Sequence, residues 1–181
     1  MKNYRHILMG FLLTVLLLTS HPAAVAGDDS TLSDAEVASI ALVATHVSIN
    51  YGKIAKQKST DSSILQFAET VINDHMNFIS DAAGINSKSG VAPKDNSISQ
   101  KLLNDAAKIT KELRSKSGKE FDKAYIDSEV AYHKLVITAL ETQLIPETNN
   151  DEMRKFLQNI LLSFKIHLAH AITVQNKISK S

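Results

Sequence analysis

Three histidines fall on the apolar faces of three separate helical patterns, and a glutamate lies one turn from one of them. In DSSILQFAETVINDHMNFISDAA, residues 61–83, Ile64, Phe67, Ala68, Val71, Phe78, Ile79 and Ala82 keep the i, i+3, i+4, i+7 spacing of one buried stripe. His75 stands in the middle of it. His133 and Glu129 lie on the apolar side of a segment that also carries Phe121, Tyr125, Tyr132 and Val136, and their four-residue spacing lets them share a partner. His167 belongs to the stripe of Leu157, Ile160, Phe164 and Ala171. A core histidine needs partners, because burying an unpaired polar group costs about 2 kcal/mol or more.

Neutral imidazoles with one carboxylate are a ligand set suited to zinc, iron, copper or nickel. His75, His133, His167 and Glu129 are therefore the candidate metal ligands, and a divalent transition metal is the candidate cofactor. Each residue also has a plainer role. A buried histidine can be satisfied by a tyrosine or a carboxylate, here Tyr125, Tyr132 or Glu129, and Glu129 with His133 can be a buried pair. No residue is assigned a catalytic role. A di-iron carboxylate bundle needs two Glu-x-x-His motifs, and the step from Glu129 to His133 is one residue too long. H-E-x-x-H, G-x-S-x-G, a phosphate-binding glycine loop and any Cys-His pair are absent, so no motif supports an enzyme.

The elements that must position these residues are helices. Ser33 and Glu36 form a capping box that starts a first helix running to about Lys58, with an inward stripe of Ile40, Val43, Val47, Asn50 and Ile54 and with His46 at its edge. Thr60 or Asp61 caps the second helix, and the short link makes the two antiparallel neighbours. Gly84 to Ser97 reads as a crossing loop, Ile98 to about Lys116 as a shorter amphipathic helix that Ser117-Gly118 breaks, and Lys119 to Leu144 as a long helix that Pro146 ends. Asn149 or Asn150 caps the last helix, whose stripe reaches Ile178. No period-two alternation appears. The expected fold is all-α, a ferritin-like four-helix bundle with one extra short helix in the crossover. Counting from the turns puts Glu129 level with His167, puts His133 about one turn away, and brings Asn50 and His46 near the centre. Asp74, off the stripe, is read as solvated or orienting a neighbour, and His170 as an edge residue.

The first 26 residues read differently. Lys2 and Arg5 precede an unbroken apolar run from Ile7 to Leu18, and Ala24-Val25-Ala26 supplies the small residues of a cleavage site. A signal peptide over residues 1–26, cleaved after Ala26, leaves one helical domain over 27–181, exported to the periplasm. The apolar run is too short to span a bilayer, which takes about 20 residues, and no later run is longer, so no transmembrane segment is expected in the mature chain. Without Lys2 and Arg5 the 20 basic and 19 acidic residues become 18 and 19, a net charge of −1 with no basic stripe, which argues against nucleic acid as a partner. There is no cysteine, so stability comes from an apolar core rather than disulfides.

The sequence resembles a family of exported bacterial proteins of unknown function with a ferritin-like fold, often labelled outer membrane proteins. The likeness covers about Leu32 to Ile178 and rests on Tyr51-Gly52-Lys53-Ile54-Ala55, Gln66-Phe67-Ala68, Asn73-Asp74-His75, Phe121-Asp122-Lys123-Ala124-Tyr125 with His133, and Phe156 with His167-Leu168. The resemblance implies that the three histidines are recurrent polar core positions. Asn50 and Tyr132 stand where that family tends to carry acids, which thins the carboxylates available to a metal. Two functions stay open: a non-enzymatic structural, interaction or stress-related protein of the envelope, partnered by an envelope protein or by itself, and a periplasmic metal-binding bundle for storage, buffering or sensing.

Overall fold

The computed structural model describes residues 31–180 and is all-α, with no strand among the described residues. The helices are α1 (Asp34–Lys58), α2 (Ser62–Ser89), α3 (Ser97–Ser115), α4 (Gly118–Ala139), α5 (Ile145–Glu147) and α6 (Asp151–Ile178), with a π turn at Leu140–Leu144 between α4 and α5. The expected signal peptide and its cleavage after Ala26 lie outside the described residues.

Local chemistry sets the ends. The Ser33–Glu36 capping box forms at α1, Asp61 Oδ1 accepts from the Ser63 and Ile64 amides at the start of α2, and Asn150 Oδ1 accepts from Met153 at 3.0 Å to cap α6. Gly118, at φ +55°, takes the left-handed conformation that lets α4 leave α3 within two residues.

Hydrogen bonds at the two ends fix the directions. At one end Leu32 N donates to Glu147 at 2.7 Å, the Asn149 and Asn150 amides donate to Asp34, and Lys94 N donates to the Ala35 carbonyl at 2.9 Å. At the other, Lys58 Nζ donates to the Arg114 carbonyl at 2.8 Å and sits over the Phe121 ring, and Lys177 reaches Ser63. Hence α1, α3 and α6 run one way and α2 and α4 the other. Two antiparallel pairs, α1 with α2 and α4 with α6, make the bundle, and α3 is the return that lies along α1.

The pairs are close-packed. A Cβ on Gly52 would stand 2.9 Å from Ile72 Cγ1, so glycine lets α1 and α2 approach there. Phe67, Phe121, Tyr125, Phe164, Ile54, Ile64 and Leu157 fill the core.

Three expectations are corrected. Gly84 to Ser89 continues α2 rather than opening the loop, since one exposed glycine costs a helix only about 1 kcal/mol. Pro146 does not stop the helix ahead of itself: the wider π turn absorbs its missing N–H, and helical backbone runs on to Glu147. The inward stripe of α1 is Val37, Ile40, Ala44, Val47, Tyr51 and Ile54, while Asn50 and His46 are exposed and Val43 is half-buried, because α3 and α4 cover flanks that a two-helix pairing would leave open.

Candidate metal centre

α2, α4 and α6 each carry one histidine into the same stretch of core. His75 and His133 are fully buried and His167 is 1% exposed. Ring centroids are 5.3 Å apart for His75 and His167, 5.7 Å for His133 and His167, and 6.4 Å for His75 and His133. One nitrogen from each ring lies within 4.8 Å of its counterparts. Phe164 closes the cluster, with its ring 4.7 Å from His75 and 5.1 Å from His133.

Two of the rings are held from behind. His133 Nδ1 donates to the Glu129 carbonyl at 2.8 Å, one turn back on α4. His167 Nε2 donates to Asp74 Oδ2 at 2.9 Å, across from α6 to α2. Each bond fixes a tautomer and leaves the lone pair on the opposite nitrogen, His133 Nε2 and His167 Nδ1. Neither of those nitrogens has a hydrogen-bond partner in the protein, and neither does either nitrogen of His75.

Burial disfavours charge on two of the three rings. Burial holds His75 well below the ordinary imidazole range, and the neighbouring His167 and His133 push it further down. His167 is lowered by burial as well, against the opposing pull of Asp74. His133 Nε2 and His167 Nδ1 present lone pairs toward His75, a donor set that a metal cation would satisfy. Bonds of about 2.0–2.1 Å to a tetrahedral ion would bring the nitrogens to about 3.3 Å, a closure of roughly 1.5 Å or less that side-chain rotation supplies.

Glu129 stands beside this triad. Its carboxylate is fully buried, and its Oε2 contacts His133 Nδ1 at 3.3 Å, on the side facing away from His133 Nε2. Among the described residues neither of its oxygens has a hydrogen-bond partner, nor has the nearby Tyr125 hydroxyl, whose ionisation is pushed well up by burial first and by Glu129 second. Burial first, with a smaller contribution from the Glu129 charge, also raises the Tyr51 and Tyr132 hydroxyls. The structure thus groups His75, His133 and His167 and puts Glu129 behind His133.

Other expected neighbours fall elsewhere. His46 is exposed, Asn50 Nδ2 donates outward to Thr110 Oγ1 at 3.2 Å, and His170 is half-buried with its ring 5.2 Å from Phe67. The rings of His133 and His167 lie 5.7 Å apart although the two residues stand at unequal distances in sequence from the turn between their helices. Asp74 is the participant that periodicity assigned no fixed partner. At 45% side-chain exposure it belongs to the surface of α2, and only the packing of α6 brings His167 to it. Tyr132 does not satisfy a histidine, since its hydroxyl donates to the Ala44 carbonyl at 2.9 Å.

A family model described as "Domain of unknown function (DUF4142)" matches residues 19–174. No curated protein and no solved structure shows a significant match to the chain.

Proposed function

The chain belongs to the DUF4142 family, and for it we propose a metal-binding function, in storage, buffering or sensing, through His75, His133 and His167. The single observation that carries this reading is His75. A fully buried imidazole with no protein partner on either nitrogen is a destabilising choice for a core that only has to fold, yet two further unpaired imidazole nitrogens face it. Asp74 and the Glu129 carbonyl act as the outer supports that orient ligating histidines, and the Glu129 carboxylate offsets part of a dication's charge from behind His133. The donor set, three imidazoles without thiolate, fits a borderline divalent ion such as zinc, nickel or copper. Neither the groove between α3 and α4 nor the cavity between α1, α2 and α6 is lined by these histidines.

Thermal unfolding in the presence of zinc, copper, nickel, iron or manganese tests the proposal. An ion at about a thousandfold its dissociation constant adds about 4 kcal/mol of stability, a rise of about 10 °C for a domain of this size. The increment disappears in a His75→Gln, His133→Gln double variant. No shift with any of the five metals contradicts the proposal.

The compartment is part of the same reading. Lys2 and Arg5 before the apolar run and the Ala24-Val25-Ala26 site support export to the periplasm, and among the described residues no helix is long and apolar enough to cross a membrane. Two antiparallel pairs joined through a return helix support the ferritin-like description of the bundle. Sequencing the amino terminus of the cell-purified protein checks export: Gly27 as the first residue is expected, and an intact Met1 contradicts it.

A further inference from the structure

Among the described residues no carboxylate joins the three imidazole nitrogens at the centre of the cluster. Glu129 stands on the Nδ1 side of His133, Asp74 is bonded to the outer nitrogen of His167, and the Tyr132 hydroxyl is committed to the Ala44 carbonyl. The remaining neighbours are aromatic. The Phe164 ring lies 4.7 Å from His75 and 5.1 Å from His133, the Phe78 ring 5.8 Å from His75, and the Phe67 ring 6.2 Å from His133.

Geometry separates the two states of copper. Cupric ion prefers a tetragonal set, and any three corners of a square include one pair about 1.4 times as far apart as the other two. Here the ring centroids form a triangle whose longest side, 6.4 Å, is only about 1.2 times its shortest, 5.3 Å, with the third at 5.7 Å. That is nearer the threefold arrangement, which cuprous ion accepts because a filled d shell imposes no geometry of its own.

Charge acts in the same direction. The Glu129 carboxylate is fully buried, so little water screens it, and it matches one positive charge. Asp74 has 45% of its side chain exposed and is screened by solvent. A second positive charge on the ion would stand largely uncompensated among aromatic rings, where burying charge is most costly. An apolar surround that keeps water out tunes the potential of a bound metal, here toward the lower charge.

Resting on the metal-binding reading above, we propose that the three-histidine centre favours cuprous over cupric ion, so that copper is held there in the monovalent state. Metal-free protein is titrated under nitrogen with cuprous ion against bicinchoninate and, separately, with cupric ion and with zinc against nitrilotriacetate. One cuprous ion per chain is expected, bound more tightly than cupric ion by about a hundredfold or more, which places the bound couple about 120 mV or more above that of aqueous copper, at about 59 mV per tenfold change. The His75→Gln, His133→Gln double variant should lose this site. Phe78 is half-buried and also lines the cavity between α1, α2 and α6. Phe78→Ser, which opens the aromatic wall to water, should lower the preference about tenfold, whereas Phe78→Leu, which keeps it apolar, should leave it within about threefold. Circular dichroism checks that the variants fold. Cupric ion bound as tightly as cuprous by the wild type, a cuprous site that survives in the double variant, or a preference unmoved in folded Phe78→Ser overturns the proposal. Zinc or cupric ion bound at the histidines without a cuprous preference leaves the metal centre standing, whereas failure to bind any of the three ions removes both.

Discussion

Where α3 lies along α1, polar side chains are matched: Asn50 with Thr110, Ser39 with Asp95 at 3.2 Å, and Asn96 with the Ile98 and Ser99 amides and the Glu36 carbonyl. Where α2, α4 and α6 meet, the polar residues are more deeply buried and largely unmatched: both nitrogens of His75, one each of His133 and His167, the Glu129 carboxylate and the Tyr125 hydroxyl. The same chain that closes its helix ends with capping boxes leaves its deepest polar groups open. Polar groups in the first region hold two helices in register; those in the second are arranged for something other than stability, because removing them would help the fold.

That contrast gives opposite signs to similar substitutions. His75→Leu should raise the stability of the metal-free protein by about 1–3 kcal/mol in urea unfolding, since an apolar side chain of similar size removes two unpaired buried nitrogens, and it should abolish any metal-induced increment. A loss of stability in the metal-free variant would break the comparison. Asp74→Ala, which frees His167 Nε2 to rotate, should weaken metal affinity by about 10–100-fold by direct titration.

Acid acts on the same region. His75 and His167 are held below the ordinary imidazole value of 6.5 in the folded state, so below that pH the unfolded chain binds more protons than the folded one. Stability is therefore full above about pH 6.5 and lost as the pH falls below it, by up to about 1.4 kcal/mol per pH unit for each histidine. His133, Asp74 and Glu129 face the same cluster, and a bound metal should move the loss to lower pH. His75→Leu should flatten the profile, and a wild type more stable at pH 5 than at pH 7.5 would contradict this assignment. At the matched region the effects are ordinary: Asn96→Ala, which removes a cap, should cost about 1 kcal/mol and leave metal binding untouched.

Much of this was legible in the sequence because helices announce their buried faces. The spacing around His75, His133 and His167 placed all three inside, and the capping residues at Ser33, Asp61 and Asn150 marked where helices begin. Periodicity speaks of one helix at a time, and the errors follow from that. Asn50 falls on the periodic stripe of α1 because a paired helix has one buried face, whereas α1 is covered by three neighbours and turns Tyr51 inward instead. Asp74 gave no signal of its pairing, since its bond to His167 exists only once α2 and α6 are side by side.

Elemental analysis of the protein purified from cells, without chelator or affinity tag, tests the metal centre most directly when paired with the His75→Gln, His133→Gln double variant. Near-stoichiometric divalent metal in the wild type and none in the folded variant is the expected result. A folded wild type that carries no metal and takes up none on titration would contradict it.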